Sequence, residues 1–478
     1  MNDPGILAAV KALIPKVPLI SRTALFHTIG YSETSKHWDL RTEVLVNVLR
    51  SFLAGPSLPL GQMQRLSMKA PEVKGRIWVS KVTLPAPSED VIREVLFKVI
   101  EGFNEDGVGG RGFTKPDLKE VEAEWTGYRK DATPSTPEMK ISEKEKYEMM
   151  MKEVESPATV LYFHGGAMYL MDPATHRDTC KKLAKISKGR CLNVRYRLAP
   201  QAPFPAALLD SLLAYLSLLY PPEGSWHTAV SPEHIVFAGD SAGGMLSFAL
   251  LQLVLEVRRQ NLMITFHGVE REVPLPGGVA TCSPWLDVTH STPSCESNAK
   301  YDYLPARSVN PSGPTYPTDE LWPTTPQRSA LYADDSFLSH PLVSPITAKD
   351  WSGSPPLYIG TGEELLTDED KYVASLAAQQ GVTVVFEEYL AMPHVFSAML
   401  GHLPASKRFF DGWGGFIRDV VEKKGVETRG IVIEARTLKE REVDVRKVCE
   451  FGRKEVMNWV EERVEKMSAK RPDPLAKL

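Results

Sequence analysis

The chain has 478 residues, 43% of them hydrophobic and 24% charged, and its formal net charge is −4. This composition predicts a globular protein with a large core and argues against nucleic acid as the main partner. The five cysteines are scattered and odd in number, which predicts neither a disulfide framework nor a metal site and favours a reducing, cytoplasmic compartment.

Residues 1–75 are predicted to be mainly helical and to form an N-terminal cap. Their opening stretch, GILAAVKALIPKVPLI, is broken by Lys11, Pro15 and Lys16. It is therefore shorter than the run of about 18 apolar residues that spans a bilayer, and no secretory signal is visible. A helix packed on the main domain, a cover over the active site and a segment on a membrane surface all fit this stretch. The last of these interpretations predicts a peripheral contact with a membrane.

Residues 76–412 are predicted to form the catalytic domain. GRIWVSKVTL and VEAEWTGYR alternate like strands, and the charged run KISEKEKYEMMMKEVE suits a solvated helix or loop. From residue 158 onward, helices separate the short apolar strands ATVLYFH, CLNVRYRL, HIVFAGD, GGVATCSP, PPLYIGTG and VTVVFEEYL. This alternation predicts an α/β fold with a mostly parallel central sheet flanked by helices.

Three further segments lie around this pattern. Residues from about 296 to 335 are rich in proline, serine and aromatics, and they are predicted to be an excursion that caps the site. Residues 413–478 end in an amphipathic helix and are predicted to be a C-terminal extension packed on the catalytic domain. The loop NEDGVGGRGFTKPD matches no dinucleotide or phosphate loop, so no phosphate-binding role is assigned to it.

One serine lies at the seam between a predicted strand and a predicted helix, in the sequence GDSAG at residues 239–243. In that context a G-x-S-x-G turn lifts the hydroxyl clear of the backbone, and small neighbours let the chain turn without a clash. The helix N-terminus that follows stabilises negative charge. Ser241 is therefore the predicted nucleophile, and it needs a base because a free serine hydroxyl is a weak nucleophile.

A second motif, LYFHGGAMY at residues 161–169, also follows a predicted buried strand. Acyl transfer builds an oxyanion that needs backbone N–H donors, and glycines let such donors approach closely. Gly165 and Gly166 are predicted to supply two donors, and Ala242 a third. The two motifs in one alternating fold are far more specific than either alone.

The predicted base is His394, in the sequence EEYLAMPHVFSAML. It lies in a short loop directly after the last predicted strand of the series, and the base follows the serine along the chain in this kind of fold. His290, after PWLDVT, is the other histidine downstream of the serine in a comparable place.

The acid must fix the tautomer of the imidazole and offset its developing charge. Glu363, Glu364 and Asp368 are all available in YIGTGEELLTDED, and Asp287 in SPWLDVT is a further alternative. Glu364 is favoured. The other carboxylates of its loop are expected to be solvated or to cap the helix that starts near Asp368.

These segments together resemble the hormone-sensitive-lipase-like branch of the α/β-hydrolase fold. The resemblance covers roughly residues 158–400 and rests on HGGAMY, YRLAPQAPFPAALLD, GDSAGG, SPWLD, SPPLYIGTGEELLTDED and MPHVF. The first 75 residues and the tail resemble fungal members. The resemblance implies a carboxylic ester hydrolase that needs no cofactor and acts on small lipophilic esters, among them acetylated sterols, other acetates and short-chain acyl esters.

The chain departs from the family pattern at several positions. Ala167 replaces the usual third glycine, Arg195 replaces an acidic residue before YRLAP, and Gln201 replaces the glutamate after it. The acid motif fits Glu364 if a one-residue gap precedes it, and it fits Glu363 without the gap.

The resulting hypothesis is a serine carboxylesterase with Ser241, His394 and Glu364 as the triad. Amide deacetylation or acyl transfer on the same triad is one alternative. A non-catalytic receptor for a small ligand is another, and the retained serine, histidine and carboxylates argue against it. The sequence indicates no oligomeric state.

Overall fold

A computed structural model describes residues 13–55, 57–105, 112–309 and 315–469. The start of the N-terminal stretch, the glycines of the loop NEDGVGG and a short part of the excursion lie outside the described residues. The predicted fold class is confirmed, because strands and helices alternate and build a central sheet with helices on both faces.

The helices divide into an N-terminal group of three and a larger group that alternates with the strands. In chain order they are α1 (Val17–Thr28), α2 (Leu40–Leu53), α3 (Leu60–Ser67), α4 (Val91–Glu105), α5 (Glu143–Met151), α6 (Arg177–Ser187), α7 (Ala206–Leu219), α8 (Ala242–Arg259), α9 (Ser294–Ser297), α10 (Thr367–Gln379), α11 (Phe396–Met399), α12 (Pro404–Val421) and α13 (Arg453–Ser468). Within the described residues, no helix is both long enough and apolar enough to cross a bilayer.

The strands form one large sheet and one small hairpin. They are β1 (Ile77–Leu84), β2 (Val121–Tyr128), β3 (Thr159–Phe163), β4 (Arg190–Val194), β5 (Ile235–Asp240), β6 (Ile264–Phe266), β7 (Val269–Arg271), β8 (Gly278–Cys282), β9 (Leu357–Gly362), β10 (Val384–Tyr389), β11 (Arg429–Ile433) and β12 (Glu440–Val443). The large sheet has the order β1-β2-β4-β3-β5-β8-β9-β10-β11-β12, and β6 pairs with β7. From β4 to β11 in this order the strands run parallel.

The chain reverses its direction through the sheet at β3, because β4 pairs on one side of β3 and β5 on the other. In this pairing Phe163, at the end of β3, lies opposite Gly239 near the end of β5. The HGG and GDSAG segments therefore emerge side by side. The crevice at such a switch point is where open α/β sheets bind their ligands.

The core lies on both faces of the sheet. On one face α7 and α8 pack against the strands, and every residue of α7 is buried. On the other face α6 and α12 pack together around Phe409 and Trp413. Burial on both faces explains why the parallel strands read as continuous apolar runs in the sequence.

The C-terminal residues contribute to the same sheet. Strand β11 pairs in parallel with β10, and β12 pairs with β11. Helix α13 packs on the core through Val456 and Val460, while α12 crosses the predicted boundary at residue 412. The division into cap, catalytic domain and extension stays a prediction.

Candidate active site

Ser241 occupies the sharp turn between β5 and α8. Its backbone has φ 53° and ψ −122°, a conformation that costs a non-glycine residue about 1–3 kcal/mol and is typical of functional sites. Its N–H donates to the Cys282 carbonyl and its carbonyl accepts from the Trp285 N–H, each at 3.0 Å. Gly243 is required because a Cβ there would lie 1.9 Å from the Phe163 carbonyl oxygen.

The structure brings Ser241, His394 and Glu364 together. The His394 Nε2 atom lies 2.9 Å from Ser241 Oγ, and His394 Nδ1 is hydrogen-bonded to Glu364 Oε2. His394 lies in the turn after β10, and Glu364 in the turn after β9. Because the carboxylate accepts from Nδ1, the Nε2 atom can accept the proton of the serine hydroxyl.

The electrostatics of this pair favour a base opposite an ionised acid. Burial alone would lower the pKa of His394, but the Glu364 carboxylate, helped by Asp302 and Asp240, raises it. Burial would likewise raise the pKa of Glu364, but the contact with His394 lowers it. The second oxygen of Glu364, Oε1, accepts from Thr361 Oγ1 at 3.0 Å and from the Gly362 N–H at 3.1 Å.

The HGG loop lies against the serine turn. Gly166 has φ 113°, and a Cβ there would lie 2.3 Å from the Leu170 carbonyl oxygen. A Cβ at Gly165 would lie 2.4 Å from an Asp240 carboxylate oxygen. Within the described residues, the N–H groups of Gly165, Gly166 and Ala242 donate to no protein acceptor.

A buried polar cluster behind the two motifs was not identified from the sequence. Asp240 accepts hydrogen bonds from the Tyr162 hydroxyl at 2.5 Å and from His176 Nε2 at 3.2 Å. The His164 ring stacks on Tyr196 with a centroid distance of 4.3 Å. Asp240, His164 and Tyr162 lie within the quoted motifs, but no sequence signal paired Tyr162 with Asp240 or identified His176 as a partner.

The alternative acid and base occupy other environments. The carboxylate of Asp287 accepts from the N–H and hydroxyl groups of Thr289 and Ser291, at 2.6–2.9 Å, within its own loop. His290 stacks on Trp285 with ring centroids 5.5 Å apart, and burial lowers its pKa to about 4. Among the described contacts, neither Asp287 nor His290 is hydrogen-bonded to Ser241, His394 or Glu364.

The neighbouring acids of the Glu364 loop point elsewhere. Glu363 Oε2 accepts from the Ala391 N–H at 2.9 Å, and Asp368 Oδ2 accepts from the Ser294 N–H at 2.8 Å. The expectation that Asp368 is solvated or caps its own helix is wrong. The N-cap position of α10 is Leu366, and α9 packs close enough for its first N–H group to engage the carboxylate.

Two departures from the family pattern, Gln201 and Arg195, have structural partners. Gln201 Nε2 donates to Gln64 Oε1 at 2.7 Å, and Gln64 Nε2 donates to the Tyr169 carbonyl at 2.9 Å. Helix α3 of the N-terminal segment thus holds the loop that follows HGG. Arg195 forms an ion pair with Asp172 at 2.9 Å.

Residues of the excursion approach the site. The Tyr303 ring lies 6.2 Å from the His394 ring, and the Tyr316 hydroxyl donates to the Tyr169 hydroxyl at 3.0 Å. Within the part of the chain that the structure describes, no group of three or more His, Cys, Asp and Glu side chains is arranged to bind a metal ion.

A family model for the α/β-hydrolase fold matches residues 160–398, the region that holds Ser241, His394, Glu364 and the HGG loop. The chain belongs to the α/β-hydrolase family. Among proteins similar to this α/β-hydrolase, an acetyl-hydrolase from Streptomyces hygroscopicus is 32% identical over 263 residues, which are 54% of this chain and 75% of that protein.

Two further relatives support the same placement. An esterase from Acinetobacter venetianus is 29% identical over 260 residues, which are 54% of this α/β-hydrolase and 74% of the esterase. The crystal structure of a hormone-sensitive lipase from a metagenome library matches with a TM-score of 0.51 and 26% identity, and the match covers 80% of this chain and 99% of the lipase. The predicted hormone-sensitive-lipase-like branch and the predicted class, a carboxylesterase- or lipase-like hydrolase, are confirmed.

Proposed function

We propose that this α/β-hydrolase is a serine carboxylesterase that acts on lipophilic acetyl or short-chain acyl esters. The observation that carries the proposal is the continuous hydrogen-bond series from Ser241 Oγ through His394 to the buried Glu364 carboxylate. This arrangement activates a serine hydroxyl for attack on a carbonyl carbon.

In the proposed reaction, Ser241 Oγ attacks the ester carbonyl carbon while His394 Nε2 takes the hydroxyl proton. The N–H groups of Gly165, Gly166 and Ala242 stabilise the oxyanion. The bond to the leaving alcohol breaks, and the alcohol departs with the proton held by His394. Water then attacks the acyl-serine with the help of the same histidine, releasing the carboxylic acid and restoring the serine.

The substrate class is proposed from two observations. A relative of 32% identity is named an acetyl-hydrolase, which supports a small acyl group. The aromatic side chains of Tyr303 and Tyr316, from the excursion, lie beside the site, and apolar walls of this kind favour lipophilic ligands.

The proposal also includes peripheral contact with a membrane. Leu25 and Ile29 of the α1 region are 57% and 63% exposed, and Phe52 and Leu53 at the end of α2 are each 45% exposed. Large contiguous apolar patches mark interaction sites, and these four side chains are proposed to form one. Residues 13–31 contain basic but no acidic side chains, which suits an anionic lipid surface.

The decisive test is the nucleophile. Ser241→Ala is expected to abolish ester hydrolysis and fluorophosphonate labelling while the thermal unfolding temperature stays near that of the wild type. Loss of a triad serine typically lowers turnover about 10⁶-fold. Ser247→Ala is the matched control, because the Ser247 hydroxyl donates to the Gly243 carbonyl at 2.9 Å within α8, the helix that follows Ser241. This variant should keep both labelling and activity.

A panel of acetyl, butyryl and longer esters, steryl acetates and acetyl amides separates the alternatives. Faster turnover of amides than of matched esters would favour a deacetylase. Tight binding of a small ligand without turnover or labelling would favour a receptor. Labelling that persists in Ser241→Ala would exclude Ser241 as the nucleophile.

A further inference from the structure

One buried carboxylate connects the two turns that carry the histidine and the acid. Asp302 lies at the start of the excursion and is fully buried. Its Oδ2 atom accepts from the Leu365 N–H at 2.9 Å, and its Oδ1 atom accepts from the His394 N–H at 3.3 Å. Leu365 directly follows Glu364. A single side chain therefore contacts the backbone of both turns.

The segment that ends at Asp302 holds the Glu364 turn at further points. Ser294 Oγ donates to the Leu365 carbonyl at 2.7 Å, and Asn298 Nδ2 donates to the Glu364 carbonyl at 3.0 Å. The backbone of the turn that carries the acid is thus hydrogen-bonded through three side chains of residues 294–302.

This segment is itself fixed by the N-terminal helices. The Arg50 guanidinium of α2 donates to the Asp302 carbonyl at 2.9 Å from Nε and at 2.6 Å from Nη2. Its Nη2 atom also lies 3.1 Å from the carbonyl oxygens of Ala299 and Lys300. A chain of hydrogen bonds therefore runs from α2 to the backbone beside Glu364 and His394.

We infer that Asp302 is a positioning residue that fixes the His394 and Glu364 turns relative to each other, and that Arg50 supports it from the N-terminal cap. The inference rests on the proposed function. Displacement of reacting groups by about 1 Å can cost about 10²-fold in rate, so a carboxylate that holds two turns in register affects turnover without touching the substrate.

The charge of Asp302 provides a signature that packing alone would not give. Burial and the Glu364 charge raise the pKa of Asp302 itself, and in its ionised form Asp302, together with Glu364, raises the pKa of His394. A neutral replacement of Asp302 should therefore lower the pKa of His394. The base must be unprotonated to act, and the acid limb of kcat/KM should therefore move to lower pH. Among the described residues, the titratable groups that face His394 include Glu364, Asp302, Asp240, His290 and Tyr303.

The test compares Asp302→Ala and Asp302→Asn with the wild type on a small soluble acetyl ester, normalised by active-site titration. We expect Asp302→Ala to lower kcat about 10²-fold with little change in KM, and both variants to shift the acid limb to lower pH. The matched control is Asp335→Asn, since Asp335 is a buried excursion aspartate that accepts two hydrogen bonds from Ser329. It should change thermal stability alone.

If the Asp302 variants do not fold, Arg50→Ala carries the test. It should lower kcat by a factor smaller than about 10², whereas Arg65→Ala, which removes an exposed ion pair with Glu320, should leave kcat unchanged. The inference would be overturned if the variant that folds has the same kcat per titrated active site as the wild type. It would also be overturned if folded Asp302 variants have the same acid limb of kcat/KM as the wild type.

The proposed function and the inference fail in different ways. If the wild type hydrolyses no ester, the proposed function fails, and the rate of fluorophosphonate labelling at Ser241 still reports on Asp302. Slower labelling in the Asp302 variants than in the control would support the positioning role. Equal labelling rates would overturn it.

Discussion

Replacing Glu364 by glutamine should disable the base while leaving the fold in place. The glutamine side chain has nearly the same shape, and its amide oxygen can still accept from Thr361 Oγ1 and the Gly362 N–H, which now contact Oε1 at 3.0 and 3.1 Å. Its amide nitrogen would then face His394 Nδ1 as a donor. The imidazole would move its proton to Nε2 and present an N–H to Ser241 Oγ, 2.9 Å away.

The expected loss follows from that reversed tautomer. Changing a triad carboxylate to its amide lowers kcat about 10⁴-fold, which corresponds to about 5.5 kcal/mol of transition-state stabilisation. The assay is steady-state hydrolysis of a small acetyl ester, with circular dichroism and thermal unfolding to show that the protein is folded.

Glu363→Gln is the matched control, because Glu363 is the adjacent residue and accepts only from the Ala391 N–H, at 2.9 Å, among the contacts seen within the described residues. It should keep most of the activity. Near-normal turnover in Glu364→Gln together with collapse in Glu363→Gln would refute the assignment. Loss of turnover in Asp287→Asn alone would show that the triad acid is Asp287, in the turn after β8.

Two further predictions concern pH and lipid. Because the pKa of His394 is raised and the base acts unprotonated, kcat/KM should fall on acidification with a midpoint above about pH 6.5, the ordinary histidine value. In Glu364→Gln, the acid limb of any remaining activity should move to lower pH. An acid limb well below about pH 6.5 in the wild type would contradict this prediction. Leu25→Glu combined with Ile29→Glu should reduce the fraction of protein that sediments with vesicles containing phosphatidylserine. The control Val269→Glu, at an exposed apolar position of the β6–β7 hairpin, should not. Equal sedimentation of the wild type and both variants would contradict the proposed membrane contact.

The parts of the fold that the sequence predicted well are those with local periodicity or a tight motif. Strands β3, β5, β8 and β9 are apolar runs because both faces are buried. Ser241 and His394 were selected because each follows such a strand within a recognisable turn. The sequence left Glu364 and Glu363 in competition, because neighbours in a turn point in different directions and only the backbone path decides which one faces the imidazole.

Other features had no local signal. Asp302 lies in an aperiodic segment, and its partners Leu365 and His394 are 63 and 92 residues away in the chain. The His176 contact with Asp240 likewise joins residues 64 positions apart. Such contacts depend on the three-dimensional packing of loops against the sheet, which neither composition nor periodicity encodes.

The two edges of the ten-stranded sheet bear on how copies of this protein can meet. At one edge, β12 exposes Glu440, Arg441 and Glu442, and charges on a short edge strand oppose pairing with another chain. At the other edge, the Lys81 N–H of β1 donates to the Glu143 carboxylate at 2.6 Å, so that backbone donor is already occupied. Each edge therefore carries a feature that opposes the addition of a strand from another copy.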